Sequence, residues 1–328
     1  MTDMSTANDH AGARAGRILA EYGVLAVLAL LVVAMALATP HFLTSANLTN
    51  VLRQVSINAI IACGMTVVII AAGIDLSVGS LVALASCLAM ITITRTDSDA
   101  LGVAVAIATG ALAGGFNGAL IAWARVPPFI MTLSTLTIFS GIALISTGGA
   151  PIIRFQGDFR WLGQGLVQGV PVPVLIMACV ALAMHVLLSR TAFGAAVYAV
   201  GGNEEAARLA GINVRRVKFL AYAVCGLLTS LAAAVLMGRL SSAQPNMGQG
   251  FELDAIAAVV LGGTSLMGGR GTIWGALVGA LVIGILNNGF NLLSVDPHFQ
   301  LVAKGAIILV AVLVDARLRR GFHVRRGG

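Results

Sequence analysis

Asp75, Glu252, Asp254 and Lys304 stand inside or at the ends of long apolar runs, where a charge is costly and survives for a reason. Acids in such places are what an ion-coupled carrier uses to hold and release a proton or cation. A plainer reading applies to the same carboxylates, because an acid near a helix N-terminus caps it and complements its dipole. Lys304, one turn into its run, can snorkel to the outer surface. Nothing else in the sequence suggests bond-making chemistry. The five histidines are far apart, and no HExxH, GxSxG or paired-carboxylate motif occurs. A phosphate loop needs Gly-Lys followed by Ser or Thr, whereas the two lysines follow Val217 and Ala303. No enzyme and no metal site are expected, and uphill transport would need an ion gradient or a separate ATPase subunit.

The elements that hold these residues belong to a membrane. Over 328 residues only 10% are charged and 58% are hydrophobic, with a net charge of +7. An ordinary globular chain is about a quarter charged, so a mean hydropathy of +0.96 implies an all-α integral membrane protein. Cations scattered between apolar runs give no wetted basic patch, which excludes nucleic acid as a partner. Cys63, Cys87, Cys179 and Cys225 lie in apolar stretches without metal-like spacing and are read as small packing residues.

Ten apolar segments follow a polar tail of residues 1–17: 18–38, 54–73, 76–94, 101–123, 128–147, 173–189, 219–238, 253–268, 273–293 and 299–315. The first is too long for a secretory signal core and is expected to stay as a helix. A crossing takes about 20 residues, so ten spans use the chain from 18 to 315 and leave no soluble domain. With both termini inside, fourteen cations fall on the cytoplasmic side and five outside, Arg53, Arg95, Arg154, Arg160 and Arg239. That places 148–172 in the periplasm and 190–218 in the cytoplasm, with a basic cytoplasmic tail at 316–328. Spans 2–5 and 7–10 would then be related as an inverted repeat, a common transporter plan. Only the small-residue rhythm shared by 114–123 and 275–289 supports it.

Within the spans, Gly110, Gly114 and Gly118, and again Gly275 and Gly279, make GxxxG patterns that let helices approach closely. Following the second stripe by fours reaches Asn287 and Asn291, with Asn288 beside them. Buried asparagines need partners, which a neighbouring helix or a watery path could equally supply. Asn117, Thr132, Ser134 and Thr135 are further lining candidates, although hydroxyls also bond back to their own helix. Asp75 and Ser77 fall at the inner turn between spans 2 and 3, and Glu252 and Asp254 at the outer start of span 8, on the binding-protein side.

The cytoplasmic loop carries the sharpest local pattern, GGNEEAARLAGINVRRVK. It reads as a two-turn helix with Asn203 as N-cap, Glu204 and Glu205 in the first turn, Arg208 four residues after Glu204, and Gly211 as a left-handed stop. Ala206, Leu209 and Ala210 share a face. So short a helix is marginal alone and must rest on something. Small alanines anchor poorly in lipid, so a groove in a partner protein is expected.

Here the sequence resembles the permease subunits of bacterial ABC sugar importers, in particular the ribose-type permeases. Glu205-Ala206-Ala207 with Gly211 is similar to the EAA loop that engages the ATPase subunits, although the isoleucine-x-leucine-proline that often follows is absent. Stronger matches are CGMTVVIIAAGIDLSVGS (63–80), the stretch from Leu240 to Leu293, and ILVAVLVD (308–315). The resemblance implies two permease copies, an ATPase subunit with two fused nucleotide domains that holds the ATP and Mg, and a periplasmic sugar-binding protein. It implies a pentose or related monosaccharide as cargo, in a bacterial inner membrane. The competing class is an ion-coupled secondary carrier of a small polar solute.

Overall fold

The computed structural model describes residues 23–296, 298–307 and 309. Among these residues the chain forms helices α1 (Gly23–Ala38), α2 (Ser45–Ile70), α3 (Val78–Thr96), α4 (Asp99–Ala122), α5 (Pro128–Thr147), α6 (Trp161–Gln164), α7 (Val172–Arg190), α8 (Ala192–Gly202), α9 (Glu204–Leu209), α10 (Val214–Leu240), α11 (Phe251–Leu261) and α12 (Ile273–Leu292). A further helical stretch covers 298–307. Strands are confined to two antiparallel two-residue ladders, β1 (Ile152–Ile153) with β4 (Ser242–Ala243) and β2 (Leu166–Val167) with β3 (Val170–Pro171). Helices satisfy their own backbone amides, which is what a chain deprived of water requires. Seven of them, α2, α3, α4, α5, α7, α10 and α12, are long and apolar enough to cross a membrane.

α2 is the central post, with 89% of its apolar window buried. α10 runs antiparallel along it: Gly64 abuts Cys225, and nearer the other end Arg239 Nη2 donates to Asn50 Oδ1 at 2.9 Å. The expected glycine stripes do join helices. A Cβ at Gly110, Gly114 or Gly118 would collide with Gly226, Tyr222 or Phe219 of α10, so α4 and α10 meet backbone to backbone. Gly275 and Gly279 press in the same way on Gly262 and Ala258, seating α12 on α11. Such contact brings many atoms within dispersion range, which is the main attraction between helices that lipid would solvate equally well.

Two expected boundaries change. The eighth apolar run, 253–268, is not one helix: α11 stops at Leu261 after eleven residues, about 16 Å, half a crossing. Gly262 and Gly263 end it, and Gly263, Gly268, Gly269 and Gly271 take positive φ values in the following loop. The loop 190–218 carries two helices rather than one, because Thr191 caps α8 with its hydroxyl on Gly194 N. The tails 1–17 and 316–328, the start of the first expected span and the end of the tenth lie outside the described residues.

The loops after α2 and α10 place the polar groups. Ala72 takes φ +60 and the chain turns inward, its Gly73 lying against the Tyr222 ring. After α10 the segment 244–250 folds back along α3, where Gly248 meets Gly79 so closely that neither tolerates a Cβ.

Candidate functional site

The first turn gathers four of the sequence-predicted path residues. Asp75, Ser77, Asn117 and Thr132 are all fully buried. Ser77 donates twice to Asp75 Oδ1, from N at 2.9 Å and Oγ at 2.6 Å, and Asn117 Nδ2 donates to Ser77 Oγ at 2.9 Å. Thr132 Oγ1 and Tyr222 OH both donate to the Ile74 carbonyl, at 3.3 and 3.2 Å. The break between α2 and α3 is thus pinned by α4, α5 and α10 at once. Tyr222 was missed by sequence reasoning, since a lone tyrosine in an apolar run gives no spacing signal. Asp75 Oδ2 and Asn117 Oδ1 remain without a protein partner. Ser134, by contrast, is exposed and bonds back to Ile130 O at 2.8 Å.

A second group lies between α11, α12 and 298–307. Lys304 Nζ stands 3.1 Å from Asp254 Oδ1, and Asn287 Nδ2 donates to Asp254 Oδ2 at 3.1 Å. Lys304 therefore bonds inward instead of snorkelling, because a buried carboxylate offers more than lipid headgroups can. Beside Asp254 is a cavity of about 80 Å³ lined by Gln54, Asn58, Arg239 and Asn287 among others. Asn58 Oδ1 and Asn287 Oδ1 are buried there without protein partners, and a cavity of that size admits water. The other two asparagines of the stripe have side-chain partners: Asn288 and Asn47 exchange hydrogen bonds at 2.9 and 3.1 Å, and Asn291 accepts from Gln300 at 3.3 Å.

Glu252 follows the plainer reading given at the sequence level. Its Oε1 accepts from Gly250 N at 3.2 Å and caps α11. Asp254 does not cap and turns into the ion pair. Among the described residues, no three His, Cys, Asp or Glu side chains gather as a metal would require.

The short helix α9 forms as the spacing predicts. Asn203 Oδ1 accepts from Ala206 N at 2.9 Å, Glu204 and Glu205 open α9, and Gly211 takes φ +84. The pairings differ from the expected one. Arg208 bonds Glu205 at 2.6 Å, which pushes its guanidinium pKa up, while Glu204 reaches Lys218 at 2.7 Å. Six residues leave Glu204 with a better-placed partner on α10 than on its own helix. Ala207 is buried, whereas Ala206, Leu209 and Ala210 face outward, with Leu209 80% exposed.

α8 connects this helix to the interior. Gly201 lies against the Ile70 carbonyl at the end of α2 and against Gly269, and Gly269 N donates to Ile70 O at 2.9 Å. Tyr198 OH donates to Gly271 O at 2.8 Å. One short helix thus touches the end of α2 and the loop after α11.

A family described as branched-chain amino acid transport system / permease component matches residues 47–312. The ribose import permease protein RbsC of Escherichia coli K12 is 48% identical over 301 residues, covering 90% of this chain and 94% of that protein. RbsC of Bacillus subtilis is 48% identical over 302 residues, with 92% and 94% covered. The L-arabinose transport system permease protein AraH of Escherichia coli K12 is 37% identical over 300 residues, covering 92% of each. No solved structure matches. With a helical bundle, buried polar breaks and a short capped helix in place, matches of this length show that the chain belongs to the branched-chain amino acid transport system permease family, as one of its ribose-type sugar permeases.

Proposed function

We propose that this chain is the membrane subunit of an ATP-driven importer, passing a monosaccharide, ribose or a related pentose or sugar, through a multi-pass protein of the bacterial inner membrane. The observation that carries this reading is the 48% identity to ribose import permeases along nine-tenths of the chain. The partners that follow are a second copy of the permease, an ATPase subunit with two fused nucleotide domains, and a periplasmic sugar-binding protein. ATP and Mg belong to the ATPase, and this chain needs no cofactor. The protein has ten spans with both termini in the cytoplasm: α1, the seven long helices, the half-length α11 with its glycine loop, and the helix beginning at 298. Spans 2–5 and 7–10 form an inverted repeat in which the turns after α2 and α10 correspond.

Coupling follows from how α9 is seated. Its outward face, Ala206, Leu209 and Ala210, enters a groove of the ATPase, and α8 carries the displacement through Gly201 to the end of α2 and the loop at Gly269. Both lead into helix breaks, where fewer backbone hydrogen bonds resist motion than in a continuous helix.

Reconstitution tests the function. The permease, its ATPase and its binding protein in vesicles should accumulate one of ribose, D-allose or L-arabinose with ATP, and the permease alone should neither bind nor hydrolyse nucleotide. Uptake by the permease alone on an ion gradient would establish the carrier class instead. Topology has its own check. Single cysteines at Asp97 and Gly157 should react with an impermeant thiol reagent added to spheroplasts, and one at Asn203 should not. Labelling of the Asn203 position from outside would overturn the orientation.

A further inference from the structure

The segment between α10 and α11 does not stay at the rim of the bundle. Arg154 marks that rim, donating from N to Ser241 O at 2.9 Å and from Nη1 to Ile93 O at 3.5 Å. Gly79 lies fourteen residues before Ile93, about 21 Å down α3. Because Gly248 is pressed against Gly79, the chain must descend from Ser241 to that depth before α11 begins at Phe251. Met247 turns inward against the cluster of Leu81, Phe139 and Ala143. Gln244, Asn246 and Gln249 turn outward and are exposed, and Glu252 is half-buried.

Exposed amides and non-helical backbone at that depth do not face hydrocarbon. Such backbone is tolerated only inside protein or along a watery passage, and no described part of this chain covers these side chains. An amide offers a donor and an acceptor on one planar group, which suits the hydroxyls of a neutral polyol. The one acid in the segment, Glu252, already spends an oxygen on Gly250 N. An anionic cargo would find no cation in this segment.

We propose that segment 244–252 reads the hydroxyls of the imported sugar at mid-membrane, through Asn246 and Gln249, in a watery passage closed on its far side by a second copy of this chain. The assignment rests on the sugar-importer reading. It is tested on the assembled transporter in vesicles. Cys63, Cys87 and Cys225 are buried, so a Gln249→Cys variant needs only Cys179 replaced by serine. The introduced thiol should react with a cationic, membrane-impermeant methanethiosulfonate, and the sugar that the native transporter imports should slow that reaction. Gln249→Leu should lower uptake about tenfold, the worth of one hydrogen bond to the cargo, while ATP hydrolysis stimulated by the binding protein persists. Reaction only with a lipid-soluble maleimide, absence of protection, or unchanged uptake by Gln249→Leu would each overturn the assignment. If the leucine variant fails to insert, labelling and protection of the cysteine variant decide. A native transporter that imports none of the three sugars would instead sink the functional reading, whatever the labelling shows.

Discussion

Lys304→Met should be the most damaging single change in the membrane interior, and Asp254→Leu a milder one at the same contact. The two side chains meet at 3.1 Å, with Asp254 8% and Lys304 22% exposed. Breaking such a pair from one side costs about 3–5 kcal/mol, mostly because the remaining charge is stranded. The stranded partner differs between the variants. Without Lys304, the Asp254 carboxylate keeps only the Asn287 amide as a protein donor, with a small cavity beside it in place of bulk water. Without Asp254, the lysine has a four-carbon stem and can turn its ammonium toward the surface. The double variant strands neither, so it should be more stable than Lys304→Met despite losing more polar atoms. Thermal unfolding of the purified permease in detergent checks the order. A loss of roughly 6 °C or more is expected for Lys304→Met at this size, with recovery in the double variant. A double variant less stable than both singles would mean that the two losses simply add and that a stranded charge is not their cause.

That contact also shows what hydropathy can reveal. The sequence marks Asp254, Lys304 and Asn287 as polar groups in apolar runs, but their meeting depends on how α11 lies against α12, and spacing within one helix is silent on that. The early end of α11 is hidden for a related reason. Gly262, Gly263 and the residues after them are small and uncharged, so an averaged window counts them as span, although their backbone freedom breaks the helix. The segment 244–250 is hidden too. With Gln244, Asn246 and Gln249 it looks like any external loop, and only the contact of Gly248 with Gly79 places it at depth. Local signals fared better. The caps at Asn203 and Gly211 and the glycine stripes of α4 and α12 depend on residues close in sequence, and they appear where the spacing places them. The Arg208 pairing fell between these cases, since the i+3 and i+4 carboxylates compete and Lys218 drew Glu204 away.

The short helix α9 yields the prediction with the largest effect on transport. Gly211→Val should abolish uptake, yet the reason is conformational rather than steric, because a Cβ at Gly211 would meet nothing within 4 Å. Its φ of +84 is what valine resists, at a cost of roughly 1–2 kcal/mol, and α9 has too few residues to absorb that loss. Asparagine visits the left-handed region far more readily, so Gly211→Asn should keep most of the uptake. Leu209→Asp tests the other half of the argument. At 80% exposure Leu209 supports no internal packing, so an acid there leaves the fold intact but would place a charge in the proposed ATPase groove. Glu205→Ala should be mild, since water screens an exposed i,i+3 pair and little of its attraction reaches the stability of the helix. Membrane insertion, copurification with the ATPase subunit and sugar uptake are the three measurements. Gly211→Val and Leu209→Asp should insert at the unmodified level and lose the other two together. If both variants kept the ATPase and transported at the native rate, α9 would be a connector, and the path from Leu209 through α8 to the end of α2 would not carry the coupling.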